Sequence, residues 1–333
     1  MAASIHPSAV LPCSDATRNN EFLLSVCVPT YHRPQLLARA LKSIGPLPPE
    51  VEVVISDNST NDLSGEVTQL VMDEQPTQRW RYFHNPPGGT LIGNWNACVE
   101  RARGHYVLML HDDDYLLPGA ISKLVSTLQA ARSRYEAVLF GVQVVNEHER
   151  VQHRQTVSTA HFLHRSLATQ KLLTNSSFVR MPAMVVSRRA YVEAGMLDPV
   201  QDGTGDLDIW LRVCSKHGLY RVPITTAAYT VHNGAVTAGM FQAQTISQLL
   251  RIFNRAAEQQ LLSPPELETA RARFFHQFVL AGTLRSMRNR NLKRARQVLD
   301  LLKHPELSHL GLSLRWLPLR LCFFVLTRFV QDE

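Results

Sequence analysis

Three consecutive carboxylates follow an apolar segment of the chain without a break. Asp112, Asp113 and Asp114 come directly after the apolar residues 106–110 and His111. Carboxylates this close repel one another and raise one another's pKa, and a buried unpaired charge is costly. A divalent cation held by oxygen ligands removes both costs. The run therefore predicts a metal site, and an exposed acidic turn without a ligand is the alternative.

Two other polar positions stand in a similar place, directly after or close behind an apolar run. Thr30 comes two residues after the run 23–28, and Asp57 follows the run 51–56. Asp57 and the two residues after it would also suit a simple turn, since Asp, Asn and Ser all favour turns. Taken with the three aspartates, these positions predict one polar site built from several segments.

The segments around these residues alternate between strand-like and helix-like patterns. Apolar runs rich in β-branched residues predict strands, and apolar residues at helical spacing predict the helices between them. This order predicts an α/β fold with a mostly parallel sheet flanked by helices. Ligands bind beyond the carboxyl ends of strands in such sheets, so the polar positions should meet at one edge. Strands are predicted at 23–28, 51–56, 80–84, 106–110, 137–145 and 183–187, helices at 34–44, 63–74, 94–103, 118–131 and 188–194, and irregular structure at 146–177.

From residue 25 to residue 237 the sequence resembles the inverting family 2 glycosyltransferases of the GT-A fold. Four ordered motifs carry the resemblance: SVCVPTY from Ser25, ISDNS from Ile55, DDD followed by Pro118, and GDLDIWLR from Gly205. The resemblance implies a Rossmann-like nucleotide-diphospho-sugar transferase fold. It also implies transfer of a sugar, with inversion, from a nucleotide-diphosphate donor to a saccharide or lipid-linked acceptor. Assembly of cell-surface polysaccharide or lipopolysaccharide is the expected setting.

The resemblance also implies a role for each motif residue. Asp113 would be the direct ligand of Mn²⁺ or Mg²⁺, which neutralises the leaving diphosphate, and His232 would reach the diphosphate or the metal. Asp206 would be the catalytic base that takes the proton of the acceptor hydroxyl, with Asp208 as the weaker rival. Asp57 would accept a hydrogen bond from the base of the nucleotide. The residues expected at the nucleotide are Pro29, Thr30, Tyr31, Arg33, Asp57, Asn96 and Asp112.

Several positions depart from the pattern of the family, among them Thr230 where arginine is common and Leu197 where phenylalanine is usual. His111 stands where many relatives carry the first aspartate of D-x-D-D, and Trp95 stands where an arginine often precedes Asn96. Gly205 replaces a glutamate beside Asp206. The sequence assigns no role to His111. Without the surrounding motifs, Asn96 would be interpreted as a helix cap and Asp206 as a favourable charge at a helix start.

The net charge of +7 is confined to the last part of the chain. Residues 1–239 contain 21 basic and 21 acidic residues, whereas residues 240–333 contain 14 basic and seven acidic ones. Apolar residues at helical spacing continue beyond 240. We therefore predict an N-terminal tail at 1–21, a GT-A glycosyltransferase domain at 22–239 and a basic helical region at 240–333.

The end of this basic region could contact a membrane surface. Residues 310–330 are apolar with interspersed arginines, but the longest uninterrupted apolar run, at 321–326, is far shorter than the ~20 residues of a spanning helix. An interfacial helix with its arginines at lipid headgroups is one interpretation. A helix packed on the catalytic domain with a solvated basic face is the other, and the sequence leaves both open.

Other features limit the class of protein. The five cysteines are scattered without a C-x-x-C pair, which excludes a zinc ribbon, and the first twenty residues show no secretory signal pattern. A cytoplasmic enzyme is expected, with peripheral contact at the cytoplasmic face of the inner membrane as an open extension. A nucleotidyltransferase is an alternative, but it would need a glycine-rich phosphate loop after the first strand. A nucleic-acid-binding protein is another, but the balanced charge of residues 1–239 argues against nucleic acid as a partner.

Overall fold

The computed structural model describes residues 21–74, 79–132, 134–232, 234, 239–308, 310 and 316–327. Almost all of the predicted N-terminal tail lies outside these residues. Within them the chain forms one mixed sheet covered by helices. The strands are β1 (Phe22–Thr30), β2 (Val51–Asp57), β3 (Trp80–His84), β4 (Gly104–Met109), β5 (Tyr115–Leu116), β6 (Ala137–Asn146), β7 (Val151–Gln155), β8 (His161–Leu163), β9 (Met184–Ser187) and β10 (Leu219–Val231).

Helices connect the strands and continue after the last of them. Three short 3₁₀ helices, at Met181–Ala183, Pro199–Thr204 and Leu301–Lys303, supplement the α-helices. The α-helices are α1 (Pro34–Ile44), α2 (Leu63–Glu74), α3 (Leu91–Arg101), α4 (Ala120–Ala131), α5 (Arg165–Thr174), α6 (Arg188–Glu193), α7 (Gly205–His217), α8 (Ala243–Glu258), α9 (Pro264–Arg288), α10 (Leu292–Asp300), α11 (Pro305–Ser308) and α12 (Leu317–Thr327).

The sheet has a parallel half and a mixed half. Its strand order is β3-β2-β1-β4-β9-β6-β10-β5, with β7 beside β6 and β8 beside β10. The strands from β3 to β4 are all parallel, as predicted, and β1 and β2 are buried along nearly their whole length. The strand β9 runs antiparallel between β4 and β6. The α/β fold with a helical C-terminal region is thus confirmed.

The prediction of irregular structure at 146–177 is wrong. This stretch contains β7, β8 and α5. β7 is a largely exposed strand that pairs with β6, so its sequence lacks the alternation of apolar and polar residues that reveals a half-buried strand. The helix α5 buries Ala168, Leu172 and Leu173, but its apolar stripe is too short to give a clear helical period.

The helices after residue 239 pack against the sheet and its helices. One hydrophobic cluster contains residues of β1, α3 and α7 together with Leu249, Phe253, Phe274 and Phe278 of α8 and α9. Among the described helices, none is both long enough and apolar enough to cross a bilayer. The helix α12 buries Phe323 but leaves much of its apolar surface in solvent. Residues after 239 therefore share one hydrophobic core with the sheet.

Candidate active site

A cleft of about 420 Å³ opens beyond the carboxyl ends of β1 and β4. Parallel strands place the residues that follow them at the same sheet edge, which is why the predicted motifs meet here. Seven of the ten predicted site residues line the cleft. They are Pro29, Thr30, Tyr31, Arg33, Asp112, Asp113 and Asp206.

The acidic turn is closed by its own backbone and tied to β1. The amide of Asp114 donates to the carbonyl of His111 at 3.1 Å, which makes the four residues a turn. The hydroxyl of Thr30 donates to Oδ2 of Asp112 at 2.8 Å. Burial and the neighbouring charge of Asp113 raise the pKa of Asp112 to about 6. A nearby positive charge would therefore stabilise the ionised carboxylates of this turn.

Arg33 supplies positive charge at this position. One guanidinium nitrogen lies 3.2 Å from Oδ1 of Asp112 and 3.2 Å from Oδ2 of Asp113. The other donates to the carbonyl of Gly234 at 2.7 Å, which connects the loop after β1 to the segment after β10. Sequence reasoning placed Arg33 near the nucleotide but did not foresee that it would bridge the two aspartates.

His232 reaches the same carboxylate from the end of β10. Its Nε2 lies 3.0 Å from Oδ2 of Asp113. Burial alone would raise the pKa of Asp113, but the hydrogen bond with His232 and the charge of Arg33 outweigh it, so this pKa lies below its ordinary value. The guanidinium of Arg285 on α9 donates to the carbonyl of His232 at 2.6 Å and so ties the C-terminal helices to this corner.

Two polar atoms in the turn are buried and form no hydrogen bond with any described residue. They are Nε2 of His111 and Oδ2 of Asp114. The other oxygen of Asp114 accepts from the amide of Thr230 at 2.8 Å. Burial lowers the pKa of His111, and it raises the pKa of Asp114 well above its ordinary value. One ligand atom each of His111, Asp113 and Asp114 lie within 4.8 Å of one another.

These residues fit a divalent metal ion. Buried polar atoms are almost always satisfied, so two unsatisfied ones beside a third ligand atom indicate a missing partner. Two carboxylates and an imidazole can all bind Mn²⁺. Mg²⁺ would bind the two carboxylates but not readily the imidazole. Sequence reasoning did not assign ligand roles to His111 and Asp114. The only available signal was their position in the turn, which left the direction of their side chains open.

Asp206 faces the cleft from the first turn of α7. Its Oδ1 accepts from the backbone amide of Leu207 at 2.6 Å. Burial raises the pKa of Asp206 to about 6. The side chain is therefore ionised at neutral pH and basic enough to accept a proton.

Asp208, the rival base, is fully buried and does not line the cleft. Its Oδ2 accepts from Arg212 at 2.6 and 2.9 Å, and its Oδ1 accepts from Arg255 on α8. Both oxygens are thus occupied by guanidinium groups. The carboxylate joins α7 to α8 and has no path to an acceptor.

Asp57 and Asn96 lie beside the cleft without lining it. Oδ1 of Asp57 accepts from the amide of Ser59 at 2.8 Å, and Oδ2 accepts from the hydroxyl of Tyr82 at 2.7 Å. The amide group of Asn96 makes two hydrogen bonds, of 2.9 and 3.0 Å, with the backbone of Leu197. These contacts join neighbouring segments of the fold, so a nucleotide contact by either side chain stays a prediction.

Many other residues that line the cleft are apolar and form an apolar wall, and several of them lie on α7, α8 and α9. Sequence analysis identified the aromatic residues of α9 only as a helical stripe, because nothing local shows which cavity they face. Two arginines, Arg180 and Arg285, interrupt this wall. The apolar residues include Trp210, Met240, Phe241, Leu249, Phe274 and Phe278.

Comparison with known proteins gives a consistent match. Residues 25–195 match the family model described as "Glycosyl transferase family 2". An uncharacterized protein of Mycobacterium tuberculosis, MT1568, is 28% identical over 217 residues, which cover 60% of this chain and 65% of that protein. The GalNAc(5)-diNAcBac-PP-undecaprenol beta-1,3-glucosyltransferase of Campylobacter jejuni is 39% identical over 125 residues, or 35% of this chain and 37% of the relative. The chain thus spans less than two thirds of either relative.

Solved structures share the fold at low sequence identity. Residues 1–349 of S. aureus TarS, in complex with UDP-GlcNAc, superpose with a TM-score of 0.61 at 14% identity, covering 92% of this chain and 89% of that one. The mannosyltransferase PcManGT from Pyrobaculum calidifontis, in complex with GDP-Man and Mn²⁺, gives a TM-score of 0.55 at 15% identity, covering 92% and 80%. At this identity the likeness concerns the fold.

Proposed function

The chain belongs to glycosyl transferase family 2, and we propose that it is a metal-dependent inverting enzyme that transfers a sugar from a nucleotide-diphosphate donor to a saccharide or lipid-linked acceptor. One observation carries the proposal: a single cleft holds both the acidic turn and Asp206. The first suits a donor diphosphate, and the second suits an acceptor hydroxyl. Family membership leaves the nucleotidyltransferase and nucleic-acid alternatives without support.

The donor would bind at the sheet edge. Asp113 and His232 would hold Mn²⁺ or Mg²⁺, and the bound ion would neutralise charge on the departing diphosphate. Thr30 and Arg33 fix the carboxylate of Asp112, which would face the ribose or sugar hydroxyls. The TarS and PcManGT structures are complexes with UDP-GlcNAc and GDP-Man, which supports a nucleotide sugar as donor.

Asp206 would act as the base in a single displacement. It takes the proton of the acceptor hydroxyl while that oxygen forms a bond to the anomeric carbon. The bond from this carbon to the diphosphate oxygen breaks at the same time, and its electron pair leaves with the nucleotide. Attack from the side opposite the leaving group inverts the anomeric centre. A pKa of about 6 keeps Asp206 ionised at neutral pH.

The apolar wall of the cleft supports a lipid-linked acceptor. Aromatic side chains of α9 would pack on an apolar part of the acceptor, and Arg180 and Arg285 could pair with its phosphate groups. The Campylobacter relative is named for an undecaprenol diphosphate substrate. A role in cell-surface polysaccharide or lipopolysaccharide assembly follows from this proposal.

The surface of α12 supports peripheral contact with a membrane. Leu321, Phe324, Val325 and Leu326 are each more than two-fifths exposed on this helix. The guanidinium of Arg296 lies 4.9 Å from the ring centre of Phe324, so positive charge borders the apolar patch. Apolar residues flanked by arginines suit an anionic headgroup layer. We place the enzyme in the cytoplasm, at the inner face of the inner membrane.

Liposome flotation tests the membrane contact. The double variant Leu321→Ser with Val325→Ser should lose flotation with anionic vesicles. Leu70 on α2 and Val200 are equally exposed apolar residues away from α12, and the matched double variant Leu70→Ser with Val200→Ser should float as the unmodified protein does. Equal flotation of both variants would refute the proposed membrane contact through α12.

Transfer itself is tested by replacing Asp206. A thermal-shift screen of nucleotide sugars with Mn²⁺ identifies the donor, because a ligand that binds only the folded state raises the melting temperature. Asp206→Asn should then bind this donor normally but transfer its sugar about 10²–10⁴-fold more slowly. Asp202→Asn is the matched control, since Asp202 is exposed and asparagine has nearly the same size and shape as aspartate. Normal transfer by Asp206→Asn would refute the assignment.

A further inference from the structure

His111 replaces an aspartate of the family motif, and its surroundings are those of a metal ligand. A backbone hydrogen bond from Asp114 to His111 closes the turn, and ligand atoms of these two side chains lie within 4.8 Å of each other. Nε2 of His111 and Oδ2 of Asp114 are both buried and unsatisfied among the described residues. Asp114 itself is only 1% exposed. An imidazole nitrogen and a carboxylate oxygen can both donate a lone pair to the same cation.

We propose that His111 is a nitrogen ligand of the divalent ion, beside Asp113 and Asp114, and that it makes the site select Mn²⁺ over Mg²⁺. This inference rests on the metal dependence in the proposed function and adds a ligand and an ion preference to it. Ligand atoms of the three side chains lie within 4.8 Å of one another. In a six-coordinate ion with ligands at about 2.1 Å, opposite ligands lie about 4.2 Å apart and adjacent ones about 3 Å, so the three side chains would bind one ion by drawing inward.

The ion preference follows from the nitrogen. Mg²⁺ dehydrates reluctantly and takes oxygen ligands almost exclusively. Imidazole binds first-row transition ions, and affinity for a nitrogen-containing site rises from Mn²⁺ through the later members of the series. Replacing a carboxylate by imidazole therefore weakens the site for Mg²⁺ more than for Mn²⁺. An aspartate at position 111 would strengthen binding of Mg²⁺ relative to Mn²⁺.

The packing of the imidazole ring supports a positioned ligand. The ring of Trp95 on α3 lies against the ring of His111, with centroids 4.7 Å apart and planes 32° from parallel. Trp95 is itself 5% exposed and belongs to the core, so its ring is held in place. Trp95 and His111 are two of the positions at which the sequence departs from the family motif, and they are in contact. The two departures thus form one local arrangement that fixes the imidazole beside the carboxylates.

Binding of Mn²⁺ alone tests the preference without any turnover. Metal-stripped protein is titrated with Mn²⁺, the free ion is followed by its electron paramagnetic resonance signal, and Mg²⁺ is added as competitor. His111→Asp should reduce the ratio of Mn²⁺ to Mg²⁺ affinity about tenfold, and His111→Asn should weaken Mn²⁺ binding about tenfold with less effect on Mg²⁺. His276→Asn is the matched control, because His276 is a buried histidine on α9 whose Nε2 is also unsatisfied among the described residues. It should leave the ratio unchanged.

Nitrogen coupling to bound Mn²⁺ identifies the ligand directly. Electron spin echo modulation from ¹⁴N should persist in His232→Ala and disappear when His111→Asn is added. An unchanged affinity ratio in both His111 variants, or loss of the coupling in His232→Ala alone, would overturn the inference. Sugar transfer is measured separately with Asp206→Asn. Failure of the ion preference therefore leaves the proposed function standing, and failure of transfer does not alter the metal measurement.

Discussion

Asp206→Asn should make the protein more stable above pH 6 while it slows transfer. Burial raises the pKa of Asp206 from its ordinary value of 3.8 to about 6, so the folded state disfavours the ionised carboxylate. The unfolded chain ionises it freely, and this difference lowers folding stability as the pH rises from 3.8 to 6. Asparagine carries no charge and can still accept the hydrogen bond from Leu207 through its side-chain oxygen.

The size of the gain follows from the pKa difference. At 1.36 kcal/mol per pH unit, the interval from 3.8 to about 6 corresponds to about 3 kcal/mol. Asp206 keeps some contact with solvent through the cleft, and solvent screening reduces this figure, so we expect about 1–3 kcal/mol at pH 8. The unmodified carboxyl is largely protonated at pH 5 in the folded state, so about half of the gain should remain there and little at pH 4.

Chemical denaturation at pH 8, pH 5 and pH 4 measures this effect. Asp208→Asn provides the contrast, because Asp208 is buried and both of its oxygens accept from arginines. Removing its charge leaves Arg212 without its carboxylate partner and leaves Arg255 with Asp198 alone, and it should cost about 3–5 kcal/mol. If Asp206→Asn proved less stable than the unmodified protein at pH 8, or gained the same amount at every pH, the assignment of Asp206 as a desolvated base would be wrong.

Three further outcomes are expected. The value of kcat/KM should rise as the pH passes through about 6, because Asp206 must be ionised to accept a proton, and a profile that is flat from pH 5 to pH 8 would contradict this. Arg33→Gln should tighten binding of Mn²⁺ alone, since the guanidinium that bridges Asp112 and Asp113 is removed, and unchanged affinity in the same titration would show that Arg33 does not compete with the ion. Tyr82→Phe should cost about 1–3 kcal/mol in chemical denaturation, because Asp57 loses the hydroxyl that donates to its buried carboxylate, and an unchanged midpoint would count against that contact.

The residues at the sheet edge could be predicted because each strand and the polar residue after it are adjacent in the sequence. Each of β1, β2 and β4 is a mostly apolar segment followed by polar residues, and parallel pairing brings such ends together. Thr30 and Asp57 are direct partners in the β1–β2 register, and Thr30 bonds Asp112 from the neighbouring strand. Strand periodicity and sheet chemistry were sufficient to place these three residues.

The bonding of each polar group could not be predicted, because it depends on side-chain direction and on distant segments. Asn96 matches a family motif, yet its amide is bonded to the backbone of Leu197, about a hundred residues later. Arg33 and Arg285 reach the site through contacts with Gly234 and His232 that no local pattern encodes. The apolar wall could not be predicted for the same reason. A helical stripe shows that one face of α9 is buried, but it does not show which residues that face contacts.

The helices after residue 239 contribute to the site even though the resemblance to the family ends before them. Arg255 on α8 holds Asp208, two residues after the base, and thereby fixes the first turn of α7 from which Asp206 projects. Arg285 on α9 holds the backbone of His232, which contacts Asp113. A chain cut at residue 239 would lose both arginines and the apolar wall. The base and the proposed metal ligands are thus positioned by the region that composition alone marked as a basic extension, and membrane contact through α12 would couple directly to the same helices.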